Sequence, residues 1–258
     1  KAVTLCRDTY KEFGPTHASE KLLTVHKIHV SDETLRVWFQ EEHIPYKSRK
    51  KRPHRQWRER KAHRGEMVQM DGSHHDWFEG RGPLCVLMGY VDDATGTVYA
   101  RFYEYEGTLP AMDGFKRYIK LYGLPQSVYL DRHSTYKSMP KQSIEQERNE
   151  IRPMSHVVKS LGDLGGHDIH AYSPQAKGRV ERLFGTFQDR VVKEMRLAGV
   201  TNITEGNAFL DGYLPEYNRK YAKEAAQKAD FHRPVVDKRA LDTILSIKTD
   251  RALRNDFT

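Results

Sequence analysis

Apolar positions recur along the chain with two different periods, and the change between them falls near residue 65. Before it they return every three or four residues, the period of one helix face. Three short helices are expected there. The first runs from about Ala2 to Phe13 and stops at Gly14-Pro15. The second follows a Thr16 cap and turns Ala18, Leu22 and Leu23 to one side. The third follows a Ser31 cap and carries Leu35, Trp38 and Phe39 inward. The compact turn "HKIHVS" between the last two suits a helix-turn-helix. Asp32 to Glu42 would be its recognition helix, with Thr34, Arg36 and Gln40 as outward base readers. A plain three-helix packing module would show the same spacing. A zinc site on Cys6, His17, His26 and His29 is disfavoured, because only His26 and His29 are close and no second cysteine is near.

From Gly65 the period shortens to that of strands. "EMVQMDGSHHDWF" alternates, and "LCVLMGYVDDATGTVYARFYEYE" reads as a hairpin turning at Asp92, Asp93 and Gly96. Residues 109 to 122 form an amphipathic helix ended by Gly123. "QSVYLD" is a short buried strand, and "HDIHAYSP" another that feeds a helix starting at Pro174. The polar stretch from Tyr136 to Gly166 reads as a surface insertion. The order is therefore three strands, helix, strand, insertion, strand, helix. A meander followed by parallel crossovers fits it. Beyond residue 200, "AFLDGYLPEYNRKYAKEA" reads as a helix and "HRP" as a turn. The expected divisions are a helix-turn-helix at 1–45, a linker at 46–64, an α/β core at 65–199 and a helical extension at 200–258.

Composition adds less than the distribution of charge. The 258 residues are 38% hydrophobic with a mean hydropathy of −0.78, as in a water-soluble protein. The longest apolar run, Leu84 to Met88, is far too short to span a bilayer, and no secretory pattern follows Lys1. Cys6 and Cys85 stand far apart and form no disulfide framework, which suits a reducing, cytoplasmic setting. The formal net charge is +8. Between Lys47 and Arg64 ten Lys/Arg stand against Glu59 alone, so this segment carries +9 and the rest of the chain −1. Tyr46 and Trp57 are interleaved with that charge as stacking groups. A solvated linker would need neither, and a nucleic-acid backbone is the expected partner, with Arg49, Lys50, Lys51, Arg52 and Arg55 as contacts.

Three carboxylates stand at element ends. Asp71 lies in the first core strand, Asp131 ends "VYLD", and Glu181 sits in the opening turns of the helix after "AYSP". In a sheet of this order the two aspartates can converge, and a helix beside them would bring Glu181. Three like charges in one place persist only if a multivalent cation neutralises them. Oxygen ligands suit Mg²⁺ or Mn²⁺, and two such ions would activate an attacking oxygen and stabilise a leaving one at a phosphodiester. Lys177, Arg179 and Arg182 around Glu181 are then expected to face the substrate's phosphates. Glycines at 178 and 185 cost this helix about 1 kcal/mol each relative to alanine. Singly, each carboxylate also fits a turn, a cap or a solvated face. Asp92 and Asp93 read as turn residues whose conversion to Asn costs little. His75 shares a strand face with Ser73 and Asp71 and is a weaker substrate contact; Asp76 and His74 lie nearby.

"QMDGSHHDWFEGRGP", "VDDATG", "VYLDRHSTY" and "SPQAKGRVERLFGTFQDRVVKEMRLAG" together resemble bacterial insertion-sequence transposases with a retroviral-integrase-like core, the ISNCY-like group above all. The resemblance covers nearly the whole chain, including "FGPTHASEKLL…VSDETLRVWF". It implies an RNase H-like fold, with a mixed five-stranded sheet, and a DDE triad at Asp71, Asp131 and Glu181. It also implies Mg²⁺-dependent cleavage at element ends and transesterification into target DNA. Double-stranded DNA, as terminal inverted repeats and target, is the implied partner, with at least a dimer on DNA, in the bacterial cytoplasm at the nucleoid. Fifty positions separate Asp131 from Glu181, longer than the common integrase spacing, and the insertion accounts for that. Relatives have an earlier DNA-binding segment and a small C-terminal β domain, so the chain is expected to be part of a longer protein. A structure-specific nuclease on the same fold, or a DNA-binding regulator with an inert triad, would be the rival readings.

The charge distribution yields a direct test. Replacing Arg49, Lys50, Lys51 and Arg52 with Ala should weaken binding to any duplex. It should also flatten the slope of log K against log salt, by up to about 0.9 for each phosphate no longer neutralised. Titrations of a labelled duplex at several salt concentrations read both; an unchanged slope in a folded variant would assign the segment to another partner.

Overall fold

A computed structural model describes residues 1–47, 58–130, 156–170, 178–234 and 238–246. Asp131, Arg49, Lys50, Lys51, Arg52, Arg55, Trp57, Pro174 and Lys177 lie outside the described residues. The chain divides into two compact units, Lys1–Arg55 and Gln56–Thr258.

The first unit holds α1 (Ala2–Asp8), α2 (Pro15–His26) and α3 (Asp32–Glu41). Ser31 caps α3 as expected, its Oγ accepting the Thr34 N–H at 3.0 Å, and Asp32 and Glu33 place negative charge at the helix's positive end. The other two boundaries differ from expectation. Helix α1 ends at Asp8, with Tyr10 and Phe13 buried in the turn that follows. Helix α2 is capped by Gly14 rather than Thr16, because Pro15 has no N–H to satisfy and fits the first helical position. Thr16 instead donates to Asp32 Oδ2 at 3.1 Å. Cys6, Phe13, Ala18, Leu22, Leu35, Phe39 and Ile44 form the core. Leu23, expected inward, is 46% exposed, since the inward position of its turn is taken by Leu22. Tyr46, expected as a stacking group, packs on this core with its ring 5.8 Å from Phe39.

In the second unit the described elements are β1 (His63–Arg64), β2 (Val68–His75), β3 (Cys85–Asp92), β4 (Val98–Tyr103), α4 (Thr108–Tyr122) and β5 (Ser127–Leu130). They continue with α5 (His156–Asp163), β6 (His167–His170), α6 (Gly178–Leu197), α7 (Ile203–Tyr221), β7 (Gln227–Asp230) and α8 (Lys238–Ile244). Five strands form one sheet in the order β4-β3-β2-β5-β6. The first three are antiparallel, and β5 and β6 run parallel to β2. This meander continued by parallel crossovers is the RNase H-like arrangement. Gly89 and Tyr90 point to opposite faces of β3. A Cβ on Gly89 would come within 2.9 Å of Phe184 in α6, and one on Gly114 in α4 within 2.4 Å of the Tyr90 hydroxyl. The two helices therefore cover opposite faces of the sheet, each admitted closely by a glycine.

Three parts of this unit differ from the sequence expectation. The end of the expected insertion is α5, whose Val157, Val158 and Leu161 are buried in the core. Residues 58–64, expected as linker, are bound to the core, and His63–Arg64 pairs with β7 in a small parallel ribbon. Helix α7 is a working part of the sheet rather than an appendage. Asn202 caps it, accepting the Glu205 N–H at 2.9 Å. Along the edge strand β4, Asn207 accepts from the Phe102 N–H at 2.8 Å and donates to the Phe102 carbonyl at 3.0 Å. Asn218 does the same at Val98, with both bonds at 2.8 Å. Two carboxamides thus occupy edge positions that another strand would otherwise take.

Cys6 and Cys85 are free and buried, and burial pushes their thiols up to about 11 and about 12. Among the described residues no helix is long and apolar enough to cross a membrane. The edge hydrogen bonds yield a test. Asn207→Ala strips both partners from a buried stretch of β4 and should lower the unfolding free energy by about 1–3 kcal/mol. Urea unfolding should show an earlier midpoint at an unchanged m-value.

Candidate active site

Residues 69, 71 and 73 point to one face of β2, because side chains alternate along a strand. Gln69 is fully buried there, Ser73 is buried and Asp71 is half-buried. Helix α6 runs along this face and is tied to it twice. The Val180 N–H donates to Gln69 Oε1 at 3.2 Å, and Gln188 Nε2 donates to Ser73 Oγ at 3.2 Å. The strand spans roughly 13 Å between its anchors and the helix roughly 12 Å between its own, so the two segments match in length. Asp71 lies between the strand anchors and Glu181 between the helix anchors. Glu181 is exposed in the first turn of α6, the helix tied to this face. Strand β5 pairs with β2 at Val68–Val128 and Gln69–Tyr129 and is described as far as Leu130, the residue before Asp131. Among the described residues no group of three His, Cys, Asp or Glu side chains is gathered closely enough to hold a metal ion.

The first turn of α6 is fixed by a carboxylate that sequence reasoning assigned to a hairpin turn. Asp93 is fully buried. Its Oδ1 accepts from Gln69 Nε2 at 2.8 Å, from Arg179 Nη1 at 3.0 Å and from Arg58 Nη2, and its Oδ2 accepts the Lys61 N–H at 2.8 Å. Arg179 Nη2 also donates to the Arg58 carbonyl at 2.9 Å. Burial pulls the Arg179 guanidinium below its ordinary value, and Asp93 opposes that shift. Arg179, expected to face substrate phosphates, is therefore turned inward as an anchor, its side chain only 10% exposed. The neighbouring Asp92, 1% exposed, accepts from the Thr95 N–H at 2.8 Å, from the Thr95 hydroxyl at 2.7 Å and from the Gly65 N–H at 2.7 Å. Both aspartates stand at the hairpin turn as expected, but each also takes several donors inside the core, so conversion to Asn is expected to cost stability.

The remaining expected residues stay at the surface. Arg182 is exposed beside Glu181. Thr34, Arg36 and Gln40 are exposed on α3, as expected, although Arg36 pairs with Glu33 and the Thr34 hydroxyl hydrogen-bonds Ser31 Oγ at 2.8 Å. His75 is exposed with its ring edge-on to Trp77 at 5.4 Å. His74 meets Glu106 Oε2 at 2.8 Å. That carboxylate lies over Gly72, where a Cβ would come within 2.7 Å of Glu106 Cδ. Among the described residues a Cβ at Gly178 or Gly185 would meet no atom within 4 Å. Sequence reasoning missed Arg58, Gln69, Gln188 and Glu106. For Gln69 a signal existed: it shares the strand face of Asp71 and Ser73.

No protein-family model matches the sequence. Over 235 residues, 91% of the chain, it is 38% identical to y4bF of Sinorhizobium fredii, assigned as a transposase. Over 170 residues it is 29% identical to the transposase for insertion sequence IS1202 of Streptococcus pneumoniae. The aligned parts span 50% and 35% of those proteins, so the chain corresponds to half or less of the relatives it matches. Among solved structures, a simian T-cell lymphotropic virus intasome chain is 20% identical at a TM-score of 0.48, covering 86% of this chain and 73% of that one. The HTLV-2 integrase catalytic core solved with magnesium is 16% identical at 0.45, covering 66% and 98%. The fold assignment rests on strand order and sense.

The buried carboxylate generates the prediction here. Asp93→Asn leaves the guanidinium of Arg179 without its counter-charge in the core and should cost about 3–5 kcal/mol. Asp211→Asn, on the exposed side of α7, should change stability by less than about 0.5 kcal/mol. Chemical denaturation of both variants checks the contrast.

Proposed function

We propose that this chain, a sequence relative of insertion-sequence transposases, carries the catalytic core of a DNA transposase that cuts at mobile-element ends and joins them to target DNA. The observation that supports the reading is the double tie of α6 to β2, with Asp71 between the two strand anchors and Glu181 between the two helix anchors. Asp131, one residue beyond the described end of the neighbouring strand β5, is the third carboxylate of this reading. The donor set suits a hard divalent cation. Glu181 presents an exposed carboxylate and Asp71 a half-exposed one, whereas the nearby Asp92 and Asp93 are spent on N–H and guanidinium donors. Asp71, Asp131 and Glu181 would hold Mg²⁺, or Mn²⁺ in its place, as a pair of ions. Such ions supply activation of an attacking oxygen and stabilisation of a leaving one at a phosphodiester.

The protein's own part is to hold and orient. The anchored first turn of α6 fixes Glu181 without using Glu181 itself. The basic segment before residue 58 gives sequence-independent grip on the DNA backbone, through Arg49, Lys50, Lys51, Arg52 and Arg55, with Lys177 and Arg182 adding contacts beside Glu181. Thr34, Arg36 and Gln40 on α3 read the terminal repeats. Joining two ends requires two active sites at one target, so the working form is at least a dimer on DNA.

The test uses labelled duplexes of the repeats flanking the protein's own gene, a target plasmid and Mg²⁺. Wild-type protein should nick the ends and join them to the plasmid. Asp71→Asn, Asp131→Asn and Glu181→Gln should each abolish cleavage and joining together while duplex binding persists. Cleavage without joining would identify a structure-specific nuclease. Binding without cleavage by the wild type would identify a regulator, and joining by the Asp131 variant would mean a different carboxylate set.

A further inference from the structure

Asp93 stands between two parts of the chain that the proposed reaction uses. On one side is the described stretch Arg58 to Arg64, in which Arg58 donates to Asp93 Oδ1. The Lys61 N–H donates to Asp93 Oδ2 at 2.8 Å, and Arg60 Nη1 reaches the carbonyls of Asp93 and Ala94, both at 3.2 Å. On the other side is the first turn of α6, held through Arg179 at 3.0 Å and, by way of Gln69, through the Val180 N–H. The two sides also touch directly, through the bond from Arg179 Nη2 to the Arg58 carbonyl. One oxygen, Oδ1, therefore serves Arg58, Gln69 and Arg179 together.

Such sharing makes the three donors interdependent. A displacement of Arg58 changes the field and geometry that Arg179 and Gln69 meet, and those two hold the residues on the N-terminal side of Glu181. Packing seats this turn through Val180, Leu183 and Phe184, while the bonds to Arg179 and to the Val180 N–H supply its polar attachment. Arg58 is also the more accessible guanidinium, its side chain 32% exposed against 10% for Arg179. Arg179, which the sequence pattern directs to the phosphates, has a different task in the structure.

We propose that Asp93 is a positioning residue that couples the seat of the basic segment to the orientation of Glu181. A shift in the seat of Arg58 to Lys61 is thereby felt at the catalytic carboxylate. The inference rests on the reading of Asp71 and Glu181 as catalytic. Its physical content is that basic residues on the two sides of Asp93 act on rate rather than on affinity.

Two measurements test it on the full chain. Single-turnover cleavage of the end duplex at saturating DNA should fall by on the order of a hundredfold in Arg58→Lys and in Arg179→Lys, the scale of a small misplacement of a reacting group. Duplex affinity and its salt slope should stay as in the wild type. Amide hydrogen exchange across residues 178–184 should accelerate in Arg58→Lys, while residues 207–218 of α7 serve as an unchanged internal reference. Arg58→Met, which keeps the apolar stem, replaces the lysine variant if that one does not fold. Weaker binding with a flatter salt slope and an unchanged saturated rate would make these arginines phosphate-binding groups and overturn the proposal. Unchanged exchange at 178–184 in a folded Arg58 variant would overturn it as well. If the wild type does not cleave at all, the functional reading falls, and the exchange result alone decides whether Arg58 and α6 are coupled.

Discussion

One buried carboxylate shared by two guanidiniums organises the second unit of this protein. Burying a charge is costly, and a buried ion pair is retained only where its geometry and hydrogen bonding are nearly complete. Asp93 is fully supplied, with donors from β2, from the segment before β1 and from α6, while the Nε atoms of Arg58 and Arg179 are buried without a partner among the described residues. Because each donor belongs to a different stretch of chain, satisfying the charge forces those stretches to meet at one point. Hydrophobic packing holds α6 against the sheet, with Phe184 seated over Gly89. The directional bonds to Arg179 and to the Val180 N–H fix its register at the turn that carries Glu181.

The same division between scaffold and chemistry runs through the unit. Its deepest acids, Asp92 and Asp93, are consumed by structure, and the acids read as catalytic stand nearer the solvent on the adjoining strand and helix. Its basic residues divide likewise. Arg179 and Arg58 are drawn into the core network, and Arg182 remains outside. At the opposite side of the sheet, Asn207 and Asn218 close the β4 edge, so that the meander ends on a helix instead of an open ladder. A sheet closed in this way and clamped on both faces is a rigid platform, which metal-assisted chemistry on a phosphodiester requires.

Much of this was legible in the residues. Alternation gave β2, the turn residues Asp92, Asp93 and Gly96 gave the β3–β4 hairpin, and the glycine at 123 and the Ser31 cap marked helix ends where they occur. The helix carrying Glu181 packs on the strand face of Asp71, as the order of strands and helix implied. What was not legible involves partners distant in sequence. Nothing local distinguishes Asp93 from an ordinary turn aspartate, since its donors come from 24, 35 and 86 residues away in Gln69, Arg58 and Arg179. Arg179 was misread for the same reason: a basic residue beside a carboxylate in a sequence that resembles transposases suggests phosphate binding until its buried partner is seen. Helix α5 was hidden for another reason. Its Val157, Val158 and Leu161 do carry a helical apolar stripe, but it closes a long polar stretch that obscured it.

The proposed chemistry requires Asp71 and Glu181 to share a divalent cation on the face to which α6 is clamped. Anomalous diffraction from crystals grown with Mn²⁺ reads that sharing directly. A peak between the Asp71 and Glu181 carboxylates, lost in the Glu181→Gln protein, is the expected result. Mn²⁺ bound only elsewhere, with Glu181 directed away from Asp71, would show that the clamped face is not a metal site.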